Sequence, residues 1–253
     1  MGAPELFDLS GKVAVVTGGS RGLGREMVLA FAEAGADVVI ASRKVDNCQA
    51  LADEVEERFG RGALAVGAHT GNWADMDRLA EEAYGRFGKV DVLVNNAGMS
   101  PLYPSLLEVS EELYDKVVDV NLKGPFRLSA VVGTRMAAGD GGSIIMVSST
   151  ASLRPSPNEA AYGAAKAGVN TLTLSFAHAF GPKVRCNCIV PGPFLTDISK
   201  AWDMDYMERE SFPKLAAKRG GRPDEIVGIA LYLASDASSY TTGAVIRVDG
   251  GVP

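Results

Sequence analysis

The sequence has few of the residues that build metal centres and histidine-based nucleophilic sites. Its 253 residues contain two histidines, His69 and His178, far apart along the chain. A His-rich metal site or a Ser-His-Asp triad is therefore not expected, and no metal is assigned. Cysteine is scarce too. Cys48, Cys186 and Cys188 form an odd set without CxxC spacing, which argues against a disulfide framework and fits reduced thiols in a cytoplasmic protein. Cys186 and Cys188 alternate around Asn187 in an apolar run and are read as one strand edge. Positive charge is not in excess: 25 Lys and Arg stand against 31 Asp and Glu, a net charge of −6. That balance argues against nucleic acid or an anionic membrane as partner. No apolar run reaches the roughly 18 residues needed to cross a bilayer. The first residues, Met1-Gly2-Ala3-Pro4-Glu5-Leu6, offer neither a basic region nor an apolar core. No secretory signal is expected, and Leu6 stands where myristoylation needs Ser or Thr.

Glycine is abundant, with 29 residues, and hydrophobic residues make up 47% of the chain. This is globular composition, and the length suits one large α/β domain over residues 1–253. Short β-branched runs alternate with longer helical patterns. Strands are expected at Val13–Val16, Asp37–Ala41, Ala63–Ala68, Val90–Val94, Ser143–Val147, Val184–Val190 and Ala244–Val248. Helices are expected at Leu23–Ala34, Val45–Phe59, Trp73–Phe87, Glu111–Ala138, Glu159–Phe180 and Pro223–Ser235, with Gly35 and Gly60 as stops. Strands without polar alternation are buried on both faces. The alternation therefore predicts right-handed βαβ units and a doubly wound parallel sheet with helices on both faces.

Between the first strand and helix lies Thr17-Gly18-Gly19-Ser20-Arg21-Gly22-Leu23-Gly24. Glycine allows a sharp turn and close approach to a pyrophosphate, and the helix start supplies free N–H donors. The spacing is not G-x-G-x-x-G, and a tight structural turn is the competing reading. Dinucleotide folds for NAD usually carry an acid after the second strand, to hold ribose hydroxyls. Here that strand ends in Ala41-Ser42-Arg43-Lys44. With no acid to repel a 2′-phosphate, Arg43, Arg21 and Ser42 are expected to hold one. NADP(H) is the expected cofactor and NAD(H) the alternative. Arg43 and Lys44 merely solvating a helix start is the blander reading.

Tyr162 and Lys166 sit four residues apart on an expected helix and so share a face. An ammonium beside a phenol favours phenolate, which suits Tyr162 for general acid–base work. Ser149, thirteen residues upstream at a strand end, offers a hydroxyl to hold a substrate oxygen.

Taken together, these features resemble the short-chain dehydrogenase/reductase family. The matches run from Leu9 to Gly251 and include Thr17–Gly24, Asn95-Asn96-Ala97-Gly98 and Val184–Gly192. The resemblance implies a Rossmann-type fold and a tetrad of Asn121, Ser149, Tyr162 and Lys166, within a branch similar to 3-oxoacyl-carrier-protein reductases. Tyr162 would exchange the proton, Lys166 would bind the nicotinamide ribose and Ser149 would orient the substrate oxygen, in preference to Ser148. Gly18, Ser20, Arg21, Gly22, Leu23, Gly24, Ser42 and Arg43 would serve the cofactor's phosphate end. Asn95, Ala97 and Gly98 would line the adenosine-ribose side, and Pro191, Gly192 and Thr196 the nicotinamide side. Asn121 would hold a relay water on its main-chain carbonyl. Pro125, four residues on, has no N–H to occupy that carbonyl.

One departure stands out. The adenine-contacting Asp common after strand three is absent, and His69 and Thr70 take its place. His178 is expected at the surface or an interface. Phe194, Leu195, Trp202, Met204, Tyr206, Met207 and Phe212 suggest a lid at about 193–218 over an apolar carbonyl or alcohol substrate. Met99, Leu102, Leu153 and Tyr206 are candidates for the pocket wall. The expected function is NADP(H)-dependent hydride transfer on a carbonyl/alcohol pair. The substrate would be a 3-oxoacyl thioester or another ketone. An NAD-dependent alcohol dehydrogenase and a non-catalytic dinucleotide-binding protein are the alternatives. The resemblance also implies a homotetramer, paired through the long helices and near the last strand.

Overall fold

The computed structural model describes residues 2, 4–197, 199 and 202–253. Seven parallel strands form one sheet in the order β3-β2-β1-β4-β5-β6-β7. They are β1 (Val13–Thr17), β2 (Asp37–Ser42), β3 (Ala63–Gly67), β4 (Val92–Asn95), β5 (Gly142–Val147), β6 (Val184–Pro191) and β7 (Val245–Val248). The crossovers are α1 (Gly22–Glu33), α2 (Val45–Phe59), α3 (Trp73–Phe87), α4 (Glu111–Val118) with α5 (Gly124–Ala138), and α6 (Ala160–Phe180). A one-turn α7 (Met204–Tyr206) and α8 (Val227–Ala234) follow β6.

Strand alternation divides the core in two. Ala14, Val16, Val38, Ile40, Val92 and Val94 face α1, α2 and α8, where Met27, Leu51 and Ile226 meet them. Val13, Val15, Leu93, Ile144 and Met146 face α3, α5 and α6, where Leu79, Leu128 and Phe176 meet them. Full burial of each such side chain contributes roughly 1.5–3 kcal/mol. Both faces being covered explains why the strands lack polar alternation.

Several element bounds shift for local reasons. The strand expected from Val90 starts at Val92, because the Asp91 carboxylate takes the Val13 N–H at 2.8 Å. The expected helix Glu111–Ala138 is interrupted by a π turn at Asp119–Lys123. Pro125 cannot donate to the Asn121 carbonyl in the α pattern. In the wider turn Gly124 N–H reaches the Asp119 carbonyl, and the chain re-enters a helix at Gly124. The helix expected over Pro223–Ser235 opens with a 3₁₀ turn, Pro223–Ile226, before α8. Cys186 and Cys188 do not sit at an edge. β6 is paired on both sides, and both thiols are fully buried.

Candidate active site

The sheet order reverses between β1 and β4, so the crevice opens at their C-terminal ends, where dinucleotides bind in such sheets. The Gly-rich turn forms one wall. Gly18 has φ +63°, and a Cβ there would stand 2.9 Å from the Ala97 Cα. A Cβ on Gly24 would stand 2.3 Å from the Gly18 carbonyl oxygen. These clashes explain the glycine spacing: the turn is pressed against the segment after β4 and folded over the start of α1. Arg21 gives α1 no side-chain cap, so the N–H donors of Gly22, Leu23 and Gly24 remain for an anion. The Thr17 hydroxyl accepts from Asn96 and Ala97 N–H at 3.0 and 3.1 Å. The Asn96 amide donates to the Thr17 and Gly18 carbonyls at 3.0 and 3.2 Å.

Asn96, absent from the expected site residues, is thus the clasp between the two walls. Its neighbour Asn95 turns away from the crevice. The Asn95 amide donates to Ser129 Oγ at 2.9 Å and to Met146 Sδ at 3.3 Å, beneath α5. Its side chain is therefore not on the adenosine-ribose side. Strand alternation carried the signal, because Asn95 shares a face with Leu93, whose core lies under α5.

At the other end of the crevice, Ser42 Oγ accepts from Ser20 Oγ at 3.1 Å, donates to the Lys44 carbonyl at 3.2 Å and lies 3.0 Å from Cys48 Sγ. Arg43 is exposed and has no hydrogen-bond or ion-pair partner among the described residues. Arg21, expected beside it, instead stands 3.8 Å from the Asp197 carboxylate, across to the segment after β6. Pro191 ends β6, and Gly192 packs on Asp249 so closely that a Cβ would lie 2.6 Å from its Cα. Thr196 lies against Gly22, 3.5 Å from where a Cβ would be. The half-buried His69 has its N–H held by Asp75 Oδ2 at 2.8 Å, and Thr70 is buried against Gly124. His178 is exposed.

Two residues of the expected tetrad, Asn121 and Lys166, flank Gly98. A Cβ there would be 3.0 Å from Asn121 Oδ1 and 3.5 Å from Lys166 Nζ. Ser149 follows β5, and its hydroxyl is near enough to the Tyr162 phenol to favour the phenolate. Lys166 Nζ stands 5.8 Å from the centre of the Tyr162 ring and donates to the Val147 carbonyl at 2.8 Å. Ser148 is buried and donates to the Lys166 carbonyl at 3.0 Å, tying α6 to β5. It therefore supports the site, while Ser149 faces it. The Asn121 amide is fully used: it accepts from Met99 N–H at 3.2 Å and donates to the Met99 and Val117 carbonyls, each at 2.9 Å.

Charge in this cluster runs against the expectation from spacing. Burial pushes the Tyr162 phenol up to about 12, with Ser149 opposing and the Glu159 charge adding to the rise. Burial pulls the Lys166 ammonium down to about 8. Desolvation disfavours the charged form of each group, and the ammonium donates to the Val147 carbonyl.

Phe194, Phe212 and Leu215 anchor the segment after β6 in the core, while Tyr206, Leu195, Leu102 and Leu153 are exposed. Residues 198, 200 and 201 of the expected lid lie outside the described residues. Beyond α7 this segment continues as a π turn, Met207–Ser211, and a 3₁₀ turn, Phe212–Lys214.

Comparison with known proteins agrees with this geometry. A family described as enoyl-(acyl carrier protein) reductase matches residues 18–253. Dehydrogenase/reductase SDR family member 4 of Pongo abelii is 36% identical over 97% of this chain and 88% of its own. L-rhamnose 1-dehydrogenase (NAD(P)(+)) of Azotobacter vinelandii is 41% identical over 95% of this chain and 96% of its own. Among solved structures, a 7α-hydroxysteroid dehydrogenase complexed with NADH and 7-oxoglycochenodeoxycholic acid superposes with a TM-score of 0.94. It is 32% identical, with 100% of this chain and 98% of that one covered. With the switch-point crevice, the glycine cradle and the hydroxyl–phenol–ammonium cluster in one place, these likenesses settle the lineage: the chain belongs to the short-chain dehydrogenase/reductase family of oxidoreductases that act on CH–OH groups.

Proposed function

We propose that the chain is an NADP(H)-dependent oxidoreductase that interconverts a carbonyl and a secondary alcohol, with Tyr162 as the proton donor and acceptor. The observation that carries this reading is the cluster of Ser149, Tyr162 and Lys166, with the Lys166 ammonium beside Gly98 at the mouth of the dinucleotide crevice. The glycine cradle and the uncapped α1 suit a pyrophosphate. The exposed Arg43, without a partner among the described residues and next to the bonded Ser20 and Ser42 hydroxyls, suits a 2′-phosphate. When bound, the nicotinamide supplies or accepts the hydride. In reduction, Ser149 orients the carbonyl oxygen and Tyr162 delivers its proton there. Lys166 holds the nicotinamide ribose. Asn121 fixes Met99 through its amide, and its main-chain carbonyl, to which Pro125 cannot donate in the α pattern, would hold a relay water.

The segment at about 193–218 serves as a substrate lid, with Phe194, Phe212 and Leu215 as its anchors. The named relatives act on a sugar and on a steroid, so kinship leaves the substrate open. Ketones and 3-oxoacyl thioesters remain candidates. The exposed Phe126 sits in an open groove of about 430 Å³ between the π turn, α5 and α6, lined also by Leu122 and Leu172. It is suited to a second copy in a cytoplasmic homotetramer.

The test follows nicotinamide absorbance with NADPH and NADH against ketones, polyols, steroids and acyl thioesters. Turnover that favours NADPH is expected. Tight cofactor binding with no turnover on any class would instead leave a binding protein.

A further inference from the structure

We propose that Glu159 and Ser100 form a polar subsite for a hydroxyl group neighbouring the reacting carbon, so that the substrate is a polyhydroxylated or vicinal-diol compound. This rests on the reading of Tyr162 as proton donor. Glu159 immediately precedes α6 and stands three residues before Tyr162, on the side of the helix that carries the phenol. Its charge is felt at the Tyr162 hydroxyl. Across from it lies the segment after β4. Ser100 Oγ donates to Glu159 Oε2 at 3.4 Å, a long bond.

That segment is fixed on both sides of Ser100. Asn121 holds the N–H and carbonyl of Met99. The Tyr103 hydroxyl accepts from the Ala160 N–H at 2.5 Å. Ser100 and Glu159 therefore form one built wall, continuous with the residues around the phenol.

The wall is short of donors. A carboxylate has about four acceptor positions. Glu159 receives the one long Ser100 bond and no ion pair among the described residues. It is half-buried, and burial pushes its carboxyl above the usual range. In the free protein solvent can fill the spare acceptor positions of this half-buried carboxylate, and a bound substrate that displaces that solvent must supply a donor in its place. A plain ketone would cover the carboxylate and give it nothing, and a carboxylated substrate would be repelled. A hydroxyl next to the reacting carbon donates to Glu159, while Ser100 keeps its proton on the carboxylate and offers its own oxygen as a second acceptor.

The test uses the full chain with NADP+ and three alcohols: cyclohexane-1,2-diol, cyclohexanol and 2-aminocyclohexanol. The expected result is a kcat/KM for the diol at least about tenfold above that for cyclohexanol, since a site built to bond a hydroxyl rejects the analogue lacking it. Glu159→Leu should lower the diol-to-cyclohexanol ratio about tenfold, mainly through KM. Glu159→Gln, which keeps an acceptor oxygen, should retain part of the ratio. Ser100→Ala is a second probe should the leucine variant fold poorly. A merely structural Glu159 would depress both alcohols alike and leave the ratio unchanged, which would overturn the proposal. So would equal use of diol and cyclohexanol by the parent protein, or preference for the amino alcohol. Turnover that survives Tyr162→Phe would sink the proton-donor reading, and this one with it. An unchanged ratio in Glu159→Leu, with Tyr162→Phe inactive, would sink the subsite alone.

Discussion

At Tyr162 the balance between burial and charge sets the pH dependence expected of each direction of the reaction. A phenol held near 12 stays protonated at neutral pH, the form that donates to a carbonyl oxygen. Carbonyl reduction should therefore be nearly flat through neutrality. Alcohol oxidation needs the phenolate, whose population rises about tenfold per pH unit below its pKa. The logarithm of kcat/KM for oxidation should climb with a slope of about one from about pH 7 to pH 10, and a level oxidation profile would contradict the assignment. Removing the hydroxyl in Tyr162→Phe should cost about 10²–10⁴-fold in turnover. NADPH binding, followed by fluorescence, should be nearly unaffected. Arg43 has no competing partner among the described residues. Arg43→Ala should raise KM for NADPH roughly tenfold or more and leave KM for NADH within a small factor, because a bond to a charged group contributes about 1.5–3 kcal/mol. Equal effects on both cofactors would remove Arg43 from the phosphate site.

Among the elements, the interrupted helix α4–α5 is the one whose shape matters most. Pro125 forces the π turn at Asp119–Lys123, and the turn carries Asn121 to the wall beside Gly98. The re-entry at Gly124 is packed onto the loop after β3: a Cβ there would stand 1.9 Å from the Thr70 carbonyl oxygen. Gly124→Ala should therefore cost about 1–3 kcal/mol through overpacking. That lowers the melting temperature by roughly 2–4 °C per kcal/mol for a chain of this size. Because the displaced loop carries His69 and Thr70, calorimetry and cofactor affinity should change together. A variant with unchanged melting temperature would show that the contact yields freely.

At the scale of the whole molecule, the two cores enclose the sheet and leave one aromatic face uncovered. Trp73, Phe126, Phe176 and Phe180 form a chain of rings with centroids 5.5–6.2 Å apart, and Phe126 is 40% exposed. If a second copy covers the groove beside Phe126, Phe126→Glu should shift light scattering to a smaller species at micromolar concentration. The internal fold should persist, since Phe126 is 40% exposed and meets the core through the Phe176 ring alone among its ring contacts with buried residues. A parent protein that is already monomeric would refute the assembly.

The strand–helix alternation, the glycine turn and the Tyr162–Lys166 spacing were legible in the sequence because each rests on local rules: periodicity, backbone freedom at glycine and the pitch of a helix. The doubly wound sheet followed from them, and α2 and α3 fall on their expected residues. The tertiary structure alone turned Asn95 into the core and made Asn96 the clasp. It likewise buried Cys186 and Cys188 in a central strand, turned Arg21 toward Asp197, and set Ser100 against Glu159. Those outcomes depend on which distant segments meet across the sheet, and on how burial weighs against charge once they have met. Neither quantity is written in the spacing of neighbours along the chain.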